Sequence, residues 1–186
     1  MSKVNYKAKQ SIQVVKSSMV ADNKDDKFAI LKGVKFKDGE IELWLSGQPR
    51  KDAHAMARGF VGFAFRISPD KTKFEAIYLR PTNARANDQL RRNRTIQYIS
   101  SPNYPWFKLR QENPGQYEAY TDLVPGEWTK YRLVVKGKTA KLYVNGQQQP
   151  SLIVNDLKLG DVSGNIGLWI GPGTLAHFSG LKVTHY

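Results

Sequence analysis

The sequence predicts an all-β chain folded as a two-sheet jelly-roll sandwich. Three observations carry that expectation. Apolar, β-branched and aromatic residues alternate with polar ones at period 2 in segment after segment. Gly, Pro and Asn turn signals separate those segments. No long amphipathic stretch of helical period competes with them.

The segments follow in order. Residues 1–24 read as a peripheral N-terminal strand and loop, with loose alternation from Ser11 to Met19. Phe28 to Lys32 is a short apolar run, and Glu40 to Leu45 alternates charge with Ile41, Leu43 and Leu45. Phe60 to Ile67 puts Val61, Phe63, Phe65 and Ile67 on one face. Phe74 to Arg80 puts Ile77 and Leu79 on one face and Tyr78 and Arg80 on the other. Thr95 to Ser100, Tyr131 to Val135, Ala140 to Val144, Asn165 to Ile170 and Leu175 to Val183 complete the set. Lys136-Gly137-Lys138 joins two strands as a tight hairpin, and Asn145-Gly146 ends the second of them. Residues 81–93 and 101–127 are the long connections, where function commonly sits. One domain over residues 1–186 accommodates all of this, with the termini on adjacent strands.

Composition narrows the function classes. With 40% hydrophobic residues in a chain of 186, a real core is affordable and general disorder is not expected. No apolar run approaches membrane-spanning length. The start, MSKVNYKAKQSIQ, is basic but lacks an apolar stretch, so no signal peptide is expected. The chain as written reads as cytoplasmic, with a mature secreted or periplasmic domain as the alternative. The absence of Cys removes disulfides and thiolate metal sites.

The net charge of +13 falls in two places. Residues 1–37 carry nine Lys against three Asp, and residues 80–110 carry six Arg and one Lys against one Asp. The first cluster is lysine on a polar background, as on a solvated surface. The second is arginine among aromatics, and arginine combines a rigid hydrogen-bonding fork with ring stacking. A pI near 9.9 raises nucleic acid as a partner. No zinc-finger spacing, RNA-recognition motif, basic helix or helix-turn-helix pattern accompanies it, so no specific nucleic-acid role is expected.

The lead for function is Glu75 to Arg110. If Phe63, Phe65, Ile77 and Leu79 face the core, alternation sends Arg66, Tyr78 and Arg80 to the opposite face. Gly62, Ala64 and Ala76 share that face, and small residues beside large polar ones suggest a groove. Asn83 and Arg85 follow on the loop. Tyr104 and Trp106 lie in a segment held by Pro102 and Pro105. Trp169 sits between Gly167 and Gly171, either as a stacking platform or as a core ring for which glycines leave room. The competing reading pairs the arginines with acids such as Glu75 or Glu118. His54, His177 and His185 share no metal-ligand spacing, and no metal site is expected.

Five stretches together carry a resemblance: FKDGEIELWLSG (36–47), GFVGFAFRI (59–67), FEAIYLRPTN (74–83), DLVPGEWTKYRLVVKGKTAKLYVNG (122–146) and GNIGLWIGPGTLAHFSGLKV (164–183). Their order resembles the concanavalin A-like lectin/glucanase superfamily. Within it, the chain is similar to laminin-G-like sandwiches and to the bacterial 3-keto-disaccharide hydrolase-like family. The resemblance implies a concanavalin A-like sandwich and an oligosaccharide or polysaccharide partner. The ligand would lie in a groove lined by Arg66, Tyr78, Arg80, Asn83, Arg85, Tyr104, Trp106 and Trp169. The alternatives are a glycoside hydrolase on the same scaffold and a protein-interaction domain. Glucanases of this fold carry a strand motif Glu-x-Asp-x-x-Glu. Here the run is Glu40-Ile41-Glu42-Leu43-Trp44-Leu45, without the last carboxylate, so the two-carboxylate mechanism is not expected. No cofactor is expected. Some relatives bind calcium, and the acidic cluster from Asp22 to Asp26 is the candidate for it, although it lacks the EF-hand order.

Overall fold

The computed structural model describes residues 1–15 and 28–186. Among these, strands dominate: β1 (Ser2–Tyr6), β2 (Lys9–Val15), β3 (Phe28–Phe36), β4 (Gly39–Pro49), β5 (Val61–Ile67) and β6 (Phe74–Leu79). A short α1 (Gln89–Arg92) precedes β7 (Ile96–Ser101), and α2 (Trp106–Glu112) precedes β8 (Glu118–Ala119). The chain continues through β9 (Thr129–Lys136), β10 (Thr139–Val144), β11 (Leu152–Val154), β12 (Gly164–Ile170) and β13 (Thr174–His185). They form a seven-stranded sheet, β1-β2-β13-β4-β9-β10-β11, and a six-stranded sheet, β3-β12-β5-β6-β7-β8. Every pairing is antiparallel, so the all-β, two-sheet jelly-roll expectation holds.

The β9–β10 hairpin turns at Gly137-Lys138, with Gly137 at φ +55°, a conformation that costs glycine little. Strands β1 and β11 were not legible from alternation. Strand β2 lies between β1 and β13, so the terminal strands are neighbours of a shared strand and not of each other. The end of the expected Ser11–Met19 segment and the Asp22–Asp26 cluster lie outside the described residues.

The inner faces of the sheets meet in one core. Phe63, Phe65, Ile77 and Tyr98 pack with Leu43, Leu45, Tyr131 and Leu133. Tyr131 is buried yet satisfied, because its hydroxyl donates to the Ile77 carbonyl of the opposite sheet at 3.0 Å. Burial pushes that phenol up from its ordinary value. A second apolar cluster covers the other face of the six-stranded sheet: Ala64, Ile67, Phe74, Ala76, Tyr78 and Trp169, flanked by Phe28, Ile30, Phe60 and Ile99.

Arg66 departs from the alternation. Asn165 pairs with Ile67 while Gly167 pairs with Ala64, so Phe65 and Arg66 together oppose Ile166. This bulge, with Arg66 at φ +51°, carries the side chain away from the Tyr78 face. Its guanidinium donates to the carbonyls of Gly137 at 2.6 Å, Lys37 at 3.3 Å and Gly160. It ties three turns together at one end of the sandwich and is not on the expected binding face.

Candidate functional site

Strand β6 delivers Tyr78 and, one step past its end, Arg80 to the face away from the core. The cross-strand neighbour of Tyr78 is Gln97 on β7, whose neighbour in turn is Glu118 on β8. Period-2 geometry therefore places a tyrosine, a glutamine and a glutamate in one row across three strands. Arg80 closes the row. Its Nη2 donates to the Tyr78 hydroxyl at 3.0 Å and to Gln97 Oε1 at 3.1 Å. Its Nη1 donates to the Arg94 carbonyl at 3.0 Å and reaches Glu118 Oε1 at 3.5 Å.

Glu118 is the focus of the row. Arg110 from α2 grips it with Nε at 3.1–3.2 Å and with Nη2. Arg94 Nε lies 3.9 Å away. One carboxylate thus faces three guanidinium groups, which leaves excess positive charge and unfilled donor capacity at this end of the sheet. Arg110 also lies over the Trp106 ring at 4.6 Å, a cation–π contact. Trp106 is 43% exposed and stands beside the arginines.

Behind the row is an aromatic stack. Tyr78 and Trp169 lie at 4.3 Å with their planes 25° apart, and Phe60 meets Tyr78 edge-on at 6.1 Å. Gly62 sits between them in the pairing, and a Cβ there would fall 2.4 Å from the Ile77 carbonyl oxygen. The small residues therefore do not leave an open trough: the two rings close over them, and Ala64 and Ala76 are fully buried. Tyr78 at 2%, Arg80 at 5% and Trp169 at 6% exposure lie beneath the surface of this face and do not form it. Burial pushes the Tyr78 phenol up from its ordinary value, with Arg80 opposing the shift.

The other expected residues divide. Asn83 joins the group, with Nδ2 donating to the Arg94 carbonyl at 3.2 Å. Arg85 is engaged bidentately with Asp122 at 2.8–2.9 Å in an exposed pair. Tyr104 packs against the main core, with Lys108 and Lys158 over its ring, and stands apart from the Arg80 row. Gln97, Arg94 and Arg110 join the row and were not among the expected residues. Gln97 was legible in principle, because it falls in a strand-like segment at the right parity. Arg110 was not, because nothing local indicates that α2 folds back toward β8.

Elsewhere, a cleft of about 530 Å³ opens between the sheets, lined in part by Ile12, Leu31, Leu168 and Phe178. Its lining is mostly apolar, unlike the Arg80 row. Glu40 and Glu42 lie on the far face of the seven-stranded sheet, against Arg132 and Lys130 at 3.6 and 4.0 Å. Among the described residues no group of three His, Asp or Glu is placed to hold a metal ion, and no helix is long and apolar enough to cross a membrane.

The architecture is similar to that of several solved β-sandwiches. The carbohydrate-binding module CBM66 from Bacillus subtilis superposes with a TM-score of 0.54 at 13% identity, over 80% of this chain and 76% of that one. The chain belongs to the 3-keto-alpha-glucoside-1,2-lyase-like domain family, whose profile matches residues 2–184. A Bacillus subtilis protein of galectin-like fold and unknown function superposes with a TM-score of 0.58 at 14% identity, over 96% and 83% of the two chains. A Parabacteroides distasonis protein provisionally named a glycosyl hydrolase gives 0.54 at 15% identity, over 82% and 80%. No curated protein matches the sequence.

Proposed function

We propose that this protein binds carbohydrate at the β6–β7–β8 end of its six-stranded sheet. The observation that carries the reading is Glu118 among Arg80, Arg94 and Arg110, directly beside the partly exposed Trp106. Guanidinium groups offer hydrogen bonds to sugar oxygens, and an indole face offers stacking to a pyranose ring. Tyr78, Gln97 and Trp169 hold the arginines from behind. Membership of a family named for 3-keto-glucoside chemistry, and a fold similar to a carbohydrate-binding module, point the same way.

The family name also favours a second reading, turnover of a 3-keto-α-glucoside. A lyase of that kind needs a base facing the substrate. Glu118 is the carboxylate in this row, and Arg110 and Arg80 engage it. Binding is accordingly the reading the geometry supports, and turnover rests on the family alone.

An array of neutral and acidic oligosaccharides tests the proposal, read at about 50 and 200 mM salt, the range over which phosphate-backbone binding collapses. Wild-type protein is expected to retain a glycan at both. Arg80→Ala should weaken that binding by about tenfold or more, because Arg80 fixes Gln97 and Glu118 from below through charge-assisted hydrogen bonds. Trp106→Ala should weaken it without lowering Tm, because the ring is exposed. Absence of any glycan hit, or wild-type binding by Trp106→Ala and Arg80→Ala alike, would sink the reading.

A further inference from the structure

The arginines around this site outnumber their partners, and the surplus is localised. Arg85 is taken by Asp122, while Arg80, Arg94 and Arg110 share Glu118. Arg58 and Arg91 make no ion pair among the described residues. Arg58 donates to the carbonyls of Ala55 and Ala57, at 2.6 and 3.0 Å, within its own loop. Arg91 has a buried Nε with no hydrogen-bond partner.

Backbone contacts bring these segments together. The Thr82 amide donates to the Arg58 carbonyl at 3.4 Å, joining the β4–β5 connection to the 3-10 turn at residues 81–83. That turn is held to Arg80 by the Asn83 amide at 2.9 Å, and α1, which carries Arg91, follows it. Arg58 feels the cluster: burial and the nearby Arg91 and Arg80 charges hold its guanidinium below its ordinary value. Converging like charges disfavour one another, and an anion arriving between them removes the repulsion.

We propose that the site takes an acidic carbohydrate, with one oxyanion of the sugar, a uronate-type carboxylate, held between Arg58 and Arg91 beside Arg80. The proposal rests on the carbohydrate reading above and narrows it. A guanidinium pair matches the two oxygens of a carboxylate. The same neighbourhood holds an unpartnered acceptor. Asn83 Nδ2 donates to the Arg94 carbonyl, so its Oδ1 is fixed on the other side of the amide, where it is buried and without a partner. A sugar acid brings hydroxyl donors as well as an oxyanion, whereas a phosphodiester brings acceptors only. Arg58 and Arg91 also come from separate segments and form no continuous stripe, which suits one anionic group more than a polyanion track.

Titration calorimetry with trisaccharides of galacturonate, glucuronate and mannuronate tests this, each as free acid and as methyl ester. The ester keeps the ring and its hydroxyls and removes the charge. At least one free acid should bind about tenfold or more tighter than its ester. Arg91→Gln and Arg58→Gln should each abolish that preference by weakening acid binding far more than ester binding, with Tm near wild type. Arg132→Gln, on the other sheet, should leave the preference intact. If acid and ester bind equally, or only neutral glycans bind, the oxyanion proposal falls and the carbohydrate reading stands. If no glycan of either kind binds, both fall. A preference that survives in Arg58→Gln and Arg91→Gln overturns the placement. Equal affinity for an oligonucleotide of the same charge overturns selectivity for a sugar acid.

Discussion

Arg66 Nη1 lies 3.6 Å from Glu75 Oε2, and neither side chain is exposed to solvent. Glu75 Oε1 also accepts from the Tyr98 hydroxyl at 2.7 Å and from the Leu159 amide at 3.1 Å. The pair joins β5 to β6 at the end where Arg66 gathers the turns at Lys37, Gly137 and Gly160. Breaking one side of such a pair strands the other charge in the interior.

Arg66→Met should therefore lower unfolding free energy by about 3–5 kcal/mol, measured by urea titration. Glu75→Gln should cost less, because the amide oxygen can still accept from Tyr98 and Leu159. Equal, small losses in both variants would show that the charges contribute little.

Glu75 also sets a pH dependence. Burial holds its carboxyl above its ordinary 4.5, against the pull of Tyr98, Leu159 and Arg66. The folded state then holds the proton more tightly than the unfolded state, so its contribution to stability falls as pH rises from about 4.5 through the raised value. Glu75→Gln should remove that slope. The gap between wild type and variant should narrow from pH 4 toward pH 7 in calorimetric scans; a gap that widens would reverse the sign.

His177 behaves oppositely. It stacks on Tyr6 at 3.7 Å with an interplanar angle of 1°, and its Nε2 meets Gln13 Nε2 at 3.1 Å. Burial holds its imidazole below the ordinary 6.5. Its contribution is present above pH 6.5 and is lost as pH falls, because the unfolded state takes the proton first. Tm should drop between pH 7 and pH 5, and His177→Phe should flatten that drop. An unchanged pH profile in the variant would exclude this site as the cause.

Glu118→Gln should destabilise the chain by about 3 kcal/mol, since it leaves three guanidinium groups without their shared carboxylate. Added sulfate should restore more Tm to this variant than to wild type. Identical responses to sulfate would mean that the three arginines do not act as one cluster.

Glu40→Gln and Glu42→Gln should change neither glycan binding nor any hydrolysis. Glu40 accepts from the Tyr186 hydroxyl at 2.6 Å and faces Arg132, and both carboxylates are partly solvated. Surface pairs of this kind contribute about 0–1 kcal/mol. A collapse of glycosidase rate in either variant would restore the two-carboxylate mechanism.

Most strands were legible because alternation at period 2 is a property of the chain itself. The reading failed at Arg66 because a bulge changes parity, and parity is all that alternation supplies. It missed α1 and α2 because four and seven residues are too few to display a helical period. Of the candidate site, Tyr78 and Arg80 were placed on the right face, since β6 is regular. That their exposure would be small was not legible: Gly62 signals room, but only the fold shows that Tyr78 and Trp169 fill it. Arg58 went unread because the charges that act on it, Arg80 and Arg91, lie more than twenty positions away in the chain.

Strand β13 lies between β2 and β4, and residues 50–173 separate it from β4 in the chain. During synthesis the two flanking strands exist long before the one that joins them. At about 5–20 residues per second, that interval is roughly 6–25 s. Over that time β2 and β4 present open edges, which are templates for pairing with other nascent chains. Slower elongation lengthens that interval, so soluble yield should depend on chaperone supply and on how fast residues 174–185 emerge from the ribosome.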